Sequence, residues 1–299
     1  MAETSWVLAV DVGGTRTKVA LVGPDGTVDG LTVVATPSTA DGAVEMVVTT
    51  GRAVLSGRPA GGVGVCVPGL VGDDGRVTAL PGKLDGIVGR DIVGELSAAF
   101  GAPAIVVNDA IAFGAGEAAA GAGVGFGRVV VMTIGTGVGV AVLDGGRPVT
   151  GGPLGGGLQG GQIPIAVGDP RLLDTSGHPD TLEALCRAQR IVDYAADAGG
   201  PFTSVEQVFV AYAAGDGTAV AGVERFRAAL VLAVRALANA HGADAVVVGG
   251  GPLTVDGPLL AGVEAAVQAQ LWPTHAIAVR RAALGDTAAL RGLAGLSKA

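Results

Sequence analysis

The chain has 299 residues, a formal net charge of −8 and a sequence pI near 4.8, so its surface should repel nucleic acid and anionic membranes. Its 49% apolar content comes from Val and Ala interleaved with 53 Gly, and charges such as Arg235 in "AALVLAVRALANA" break the best apolar runs, so no membrane span is expected. Cys66 and Cys186 lack C-x-x-C spacing, which gives neither a disulfide framework nor a thiolate metal site, and "WVLAV" is too short for a secretory signal, so a cytoplasmic location is expected.

Short β-branched runs alternate with helical segments: "VLAV" first, then "VGVCV", "AIVVN", "VVVMT" and "AVVVGG". That is the pattern of an α/β fold with buried, mostly parallel strands. In chain order the helices are expected over Ala43 to Ser56, Asp91 to Phe100, Ala110 to Ala120, Leu182 to Ala198 behind a Thr181 cap, Val223 to His241, and Pro258 to Gln270. The length suggests two domains.

The opening "VLAVDVGGTRTKVALVGPDGTV" runs a strand into a glycine turn and straight into a second strand. "VVVMTIGTGVGVAVLDGGRPV" repeats this plan after roughly 120 residues, the mark of two similar halves. Asp25-Gly26 and Asp144-Gly145 close the second strands with tight reversals. Gly13-Gly14 and Gly135-Thr136-Gly137 put amides free of Cβ atoms at the hairpin tips, where an anionic oxygen can approach, and Thr15 and Thr136 add hydroxyls. Asp11 ends the first strand beside such a turn, a place for a carboxylate holding Mg²⁺ through water. Either turn alone also reads as an ordinary turn. A dinucleotide fingerprint is disfavoured, because "GTGVG" feeds a strand where that motif must open a helix.

Asn108-Asp109 ends a strand and begins a helix, as an N-cap or as a site at the carboxyl end of a parallel strand. Gly249-Gly250-Gly251 leaves room for a flat base against the backbone, or for tight strand–helix packing.

Together these residues resemble the ROK family of sugar kinases, within the actin-like superfamily. The likeness runs through Asp11 to Thr15, Thr36-Pro37, Val65 to Gly69, Asn108-Asp109-Ala110 with Gly116-Glu117, Gly135 to Gly139, Gly249 to Gly251 and the closing "LGDTAALRGLAGL". The resemblance implies two actin-like (ribonuclease H-like) domains, residues 1–116 and 117–299, with ATP and acceptor in their cleft and the last helix, about 284–299, packing back on the first domain. It implies Asp109 as general base; Gly69, Lys83, Asn108, Gln162 and Glu183 on the acceptor; and Asp11, Gly13, Gly14, Thr15, Lys18, Gly135, Thr136, Gly137, Gly249, Gly250 and Gly251 on ATP, with Mg²⁺ at Asp11. It also suggests a homodimer.

The departures from the family are specific. Most family kinases build a zinc site from one His and three Cys, whereas "GDPRLLDTSGHPDTLEALC" has no cysteine cluster, so no zinc is expected and His178 reads as a loop residue. The family's Glu-x-Gly-His appears as Gln162-Ile163-Pro164-Ile165, and its sugar-binding Asn as Lys83 in "PGKLDGI", which is either a solvated loop lysine or a reader of an anionic acceptor. The expected activity is therefore ATP-dependent phosphorylation of a sugar, amino sugar or cyclitol, with ordinary glucose a poor acceptor. The alternatives are a glucokinase using ATP or polyphosphate, and a catalytically silent sugar-sensing regulator. The first strand begins at Val7, leaving no room ahead of it for the helix-turn-helix of family repressors, so DNA binding is not expected.

Overall fold

Val-rich runs bounded by Gly and Asp turns form the strands, because branched side chains fill both faces of a buried sheet. The computed structural model describes residues 6–80, 82–150, 159–167, 169–254 and 257–298. The chain divides into two compact units, one made of Met1–Val124, Gly146–Leu158 and Asp286–Ala299, the other of Gly125–Gly145 and Gln159–Gly285.

In unit 1, β1 (Val7–Val12), β2 (Arg16–Val22), β3 (Val28–Ala35), β4 (Gly62–Val67) and β7 (Ala104–Asn108) form a sheet of order β3-β2-β1-β4-β7. β1 is antiparallel to β2 and parallel to β4, and β4 is parallel to β7. Two short strands, β5 (Leu70–Val71) and β6 (Val77–Ala79), make a separate hairpin. Helix α1 (Ala40–Leu55) starts behind Thr39, whose hydroxyl accepts from Gly42 N, and α2 (Ile92–Phe100) starts behind Asp91 in the same way. Leu8, Val10, Val47, Val65 and Leu96 meet in the main core of this unit.

The second face of the sheet is covered by α3 (Asp109–Ala120) and the C-terminal helix α9 (Ala288–Leu296). These two helices touch backbone to backbone: a Cβ on Gly116 would lie 2.0 Å from Ala288 O, and one on Gly292 would lie 1.9 Å from Ala112 O. Gly116 in the sequence motif is thus a packing glycine. Strand β10 (Arg147–Pro148) lies in the 146–158 stretch.

Unit 2 repeats the plan. β8 (Arg128–Ile134) and β9 (Val138–Asp144) are antiparallel, while β11 (Ala245–Gly249) lies parallel to β8 and β12 (Ala278–Arg281) parallel to β11. The run β9-β8-β11-β12 matches β2-β1-β4-β7 in order and direction. Helices α4 (Leu182–Cys186), α5 (Gln189–Asp197), α6 (Val205–Ala213), α7 (Gly217–His241) and α8 (Val263–Gln268) complete the unit.

Three helix expectations are corrected. The segment 182–198 is two helices, because Arg187 turns extended (ψ 152) and Ala188 N leaves the helix to donate to Gly135 O at 3.0 Å. The segment 258–270 is a 3-10 turn, Pro258–Leu260, followed by α8, interrupted at Gly262, whose φ of 74 is left-handed. α6, capped by Ser204, was not expected, and α7 starts at Gly217 because Asp216 caps it. Among the described residues no helix is long and apolar enough to cross a membrane.

Candidate active site

The first glycine turn is closed by Gly13 N donating to Arg16 O at 3.0 Å, which leaves Gly14-Thr15 as a two-residue tip outside the β1–β2 ladder. A Cβ on Gly13 would meet Arg16 O at 2.7 Å, so glycine there is a steric demand of the turn. Thr36 Oγ1 donates to Gly13 O at 2.9 Å, and Thr36 N donates to Thr15 O, so Thr36, just past the end of β3, holds the tip in place.

Asp11 faces this turn from the end of β1, with Lys18 opposite it in the register. Lys18 Nζ is 4.0 Å from Asp11 Oδ2 and 2.8 Å from Asp286 Oδ1. Cys66, beside Asp11 in the parallel register, donates from Sγ to Asp11 Oδ1 at 3.3 Å. Burial raises the Asp11 carboxyl above its ordinary range, against the Lys18 ammonium and the Cys66 bond, which lower it. Cys66 and Asp286 are members of this site that sequence reasoning missed. The alternation of "VGVCV" marks Cys66 only as a strand residue, and nothing local ties Asp286 to Lys18.

Asn108 and Asp109 fulfil the cap and the site readings together. Asn108 Oδ1 accepts from Ala110 N at 2.9 Å and Ile111 N, capping α3, while its Nδ2 donates to Gly69 O at 2.8 Å. Gly69 has a φ of 90, and a Cβ there would lie 2.4 Å from Ala79 O. Asp109 opens α3 at the carboxyl end of β7, its side chain accepting from Ala110 N at 2.8 Å. The residue is open to solvent on one side, yet surrounding protein desolvates its carboxyl and pushes it up to about 6, with Asp11 adding repulsion and the Ala110 amide, Asn108 and Lys83 opposing.

Lys83 stands in an exposed loop, and its Nζ lies against Gly14: a Cβ at that glycine would be 2.5 Å from the ammonium. The structure therefore brings together Asp11, Gly13, Gly14, Thr15, Lys18, Gly69, Lys83, Asn108 and Asp109 within unit 1.

In unit 2 the second turn is closed by Gly135 N donating to Gly137 O at 2.9 Å, with Thr136 at its tip. Glu183 is wedged beneath it, 5% exposed, with Oε2 accepting from Val138 N at 2.8 Å. Its Oε1 accepts from Thr175 N at 2.7 Å and Thr175 Oγ1 at 2.5 Å. A Cβ on Gly137 would lie 2.5 Å from Glu183 Oε2, so this glycine makes room for the carboxylate. Gln162 ends a 3-10 turn, Gly160–Gln162, and is half-buried, as is Ile165.

The loop around His178 is organised by Asp174. Its side chain is 0% exposed and accepts from Ser176 N, His178 N and Thr181 Oγ1 at 2.8, 2.9 and 3.0 Å. Thr181 in turn caps α4, the helix that carries Glu183. His178 is 67% exposed, and Cys186 is buried at the end of α4. Among the described residues no group of three or more His, Cys, Asp or Glu is arranged to hold a metal ion.

At the third cluster, Gly250 has a φ of 102 and a Cβ there would lie 2.1 Å from Ile134 O, so tight packing on β8 dictates it. Gly251 meets nothing within 4 Å and faces open space, while Gly249 ends β11 in register with Thr133.

A family model for the ROK family matches residues 7–299, and the chain belongs to that family. Both units carry the actin-like fold of ROK kinases, and the similar structures include a ROK hexokinase from Thermus thermophilus, 26% identical over 98% of each chain with a TM-score of 0.84. A ROK glucokinase from Streptomyces griseus, solved with glucose and AMPPNP, is 26% identical over 98% of this chain and 99% of its own, with a TM-score of 0.81. A ROK transcriptional regulator, a homolog of E. coli MLC protein, shares the fold at 21% identity and a TM-score of 0.85 over 99% of this chain and 78% of its own. Among curated proteins none matches the sequence significantly.

Proposed function

We propose that this protein is an ATP-dependent kinase that transfers the γ-phosphate to a hydroxyl of a sugar or sugar-like polyol, with Asp109 as general base. The observation that carries the reading is Asp109 itself: a carboxyl at the start of α3, in the same unit as the Gly14-Thr15 tip, and desolvated toward a pKa of about 6. A base so tuned is ionised at neutral pH yet retains enough basicity to accept a hydroxyl proton. The turns at Gly14-Thr15 and at Gly135 to Gly137 supply backbone donors for phosphate oxygens, and Gly251 leaves open space suited to a nucleotide base.

The site suits Mg²⁺ as a water-mediated guest. Asp11 offers one partly exposed carboxylate at the turn, and Mg²⁺ typically keeps several waters and takes one or two carboxylates plus substrate phosphates. When bound, the ion neutralises phosphate charge. Asp11 would hold it, Lys18 and Cys66 fix the orientation of Asp11, and Asn108 fixes Gly69 and the first turn of α3.

The acceptor class follows from the changed positions. Ile165 has no polar side-chain atom, and Gln162 both donates and accepts, so the pocket favours a hydroxyl pattern other than that of glucose, such as an amino sugar or cyclitol. Soluble cytoplasmic action as a homodimer completes the reading. An ADP-release screen over hexoses, amino sugars and cyclitols, with ATP and then polyphosphate as donor, tests it. ADP formation with one of these acceptors is expected. Saturable acceptor binding with no ADP formed would instead assign a sugar-sensing regulator.

A further inference from the structure

We infer that Lys83 is a catalytic cation of the phosphoryl-transfer step, placed by its loop at the Gly14 tip to hold the oxygens of the phosphoryl group in flight. The inference rests on the kinase reading above.

The loop that carries Lys83 is built for position. Leu84 is a non-glycine residue at a φ of 52, yet it is only 3% exposed and anchored in the core of unit 1, with Gly82 and Gly86 on either side also left-handed. Backbone bonds from Asp85 N to Ser38 O and from Ala40 N to Asp85 O, both 2.9 Å, tie the next residue to the start of α1. A left-handed, branched, buried residue is an energetically unfavourable conformation that surrounding contacts must hold, and such residues concentrate at functional sites. Its effect here is to throw Lys83 out of the loop while fixing its Cα.

The stem then lies across the glycine turn. A Cβ built on Gly14 would lie 2.5 Å from Lys83 Nζ, 3.3 Å from Cε and 3.8 Å from Cδ, so the end of the lysine stem rests on the backbone of the tip. Lys18, the other lysine of this site, is neutralised by Asp286 and Asp11. Lys83 forms no ion pair among the described residues, which leaves its charge for an anion from solution. Asp109 lies within its field without being bonded to it.

In the step itself the acceptor oxygen forms a bond to the γ-phosphorus as the bond from that phosphorus to the leaving oxygen of ADP breaks. The hydroxyl proton passes to the Asp109 carboxylate. Lys83 keeps all its protons and donates them as hydrogen bonds to the equatorial oxygens, where charge is spread in the transition state. A lysine serving only as a reader of an anionic acceptor would have no reason to lie on the phosphate turn.

Lys83→Met and Lys83→Arg decide the matter with two readouts. The first is calorimetric binding of ADP and Mg²⁺ with and without aluminium fluoride, a mimic of the transferred group, which needs no acceptor. Lys83→Met should leave ADP affinity within about threefold and lose roughly a hundredfold of the added affinity from fluoride, with Lys83→Arg restoring part of it. The second readout, on whichever acceptor releases ADP, should show kcat falling roughly 10²–10³-fold with the acceptor KM little changed. A Lys83→Met protein with wild-type fluoride binding, or one whose defect is confined to the acceptor KM, overturns the assignment. Wild-type protein that binds no ADP overturns the kinase reading and this inference with it. Wild-type protein that forms the fluoride complex but phosphorylates nothing refutes the acceptor class alone, and the calorimetry still decides Lys83.

Discussion

Cys66 Sγ donates a hydrogen bond to Asp11 Oδ1 at 3.3 Å, joining the centre of the unit 1 sheet to the carboxylate beside the Gly13-Gly14 turn. The thiol is fully buried, and burial together with the neighbouring carboxylates of Asp11 and Asp109 pushes its pKa well above the ordinary value, so it stays a protonated donor. Cys186 is likewise buried and raised by burial alone. Neither thiol should react with a disulfide reagent at pH 8 in the native protein, whereas both should react after denaturation. Rapid native labelling of Cys66 would remove it from the sheet interior.

Asp109→Asn should keep the fold and nucleotide binding while lowering turnover by roughly 10²–10⁴-fold. The wild-type kcat/KM should fall as pH drops through about 6, because the base must be ionised to work. Stability has the opposite sign. The folded pKa lies above the unfolded value, so between the two the folded state holds the proton more tightly, and ionisation at higher pH weakens the fold. Asp109→Asn should therefore raise the melting temperature above pH 6 and change it little below pH 4. Thermal scans at both pH values check this, and no pH-dependent gain would mean that the carboxyl is not desolvated.

Asp11→Asn should weaken the Mg²⁺ dependence of nucleotide use without unfolding the sheet, since an amide can still accept from Cys66 but holds the hydrated ion poorly. A Mg²⁺ titration of ADP release is the measurement. An unchanged midpoint would take Asp11 out of the metal's environment.

Asp174→Ala should destabilise unit 2, because three donors lose a fully buried carboxylate; a single hydrogen bond to a charged group contributes roughly 1.5–3 kcal/mol. Since Thr181 caps α4, the loss should spread to Glu183 and the Gly135 to Gly137 turn. Chelator-treated wild type should keep its denaturation midpoint and carry no stoichiometric zinc by elemental analysis. One tightly held zinc per chain would contradict the hydrogen-bonded organisation of this loop.

Glucose should be a poor acceptor. A glucose hydroxyl facing Ile165 finds no side-chain partner, a loss of about 1–3 kcal/mol or roughly ten- to hundredfold in kcat/KM relative to an acceptor that does not present one there. Comparing glucose with amino sugars and cyclitols is the check, and glucose ranking first would show that other contacts restore the pocket.

The sequence by itself determined whatever depends on neighbours along the chain. Glycine turns between β-branched runs define the two hairpins, Asn108-Asp109 defines a strand-to-helix junction, and the repeated plan of "VLAVDVGGT" and "VVVMTIGTG" marks two similar halves, each opening with such a hairpin. Turn chemistry, capping and side-chain alternation are local, so they are written in the order of residues. Only the tertiary structure decided what joins distant positions. It set Lys83 on Gly14, paired Lys18 with Asp286, and drew Ala188 out of a continuous helical pattern to satisfy Gly135 O. It engaged Glu183, which the family resemblance places on the acceptor, with Val138 and Thr175, and it turned Gly116 and Gly292 into the seam between α3 and α9. The Glu183, Ala188 and glycine-seam contacts follow from the need to satisfy polar groups inside the fold or to bring two backbones together, and the lysine contacts from charge and loop placement; all span many intervening residues, and no periodicity along the chain encodes them.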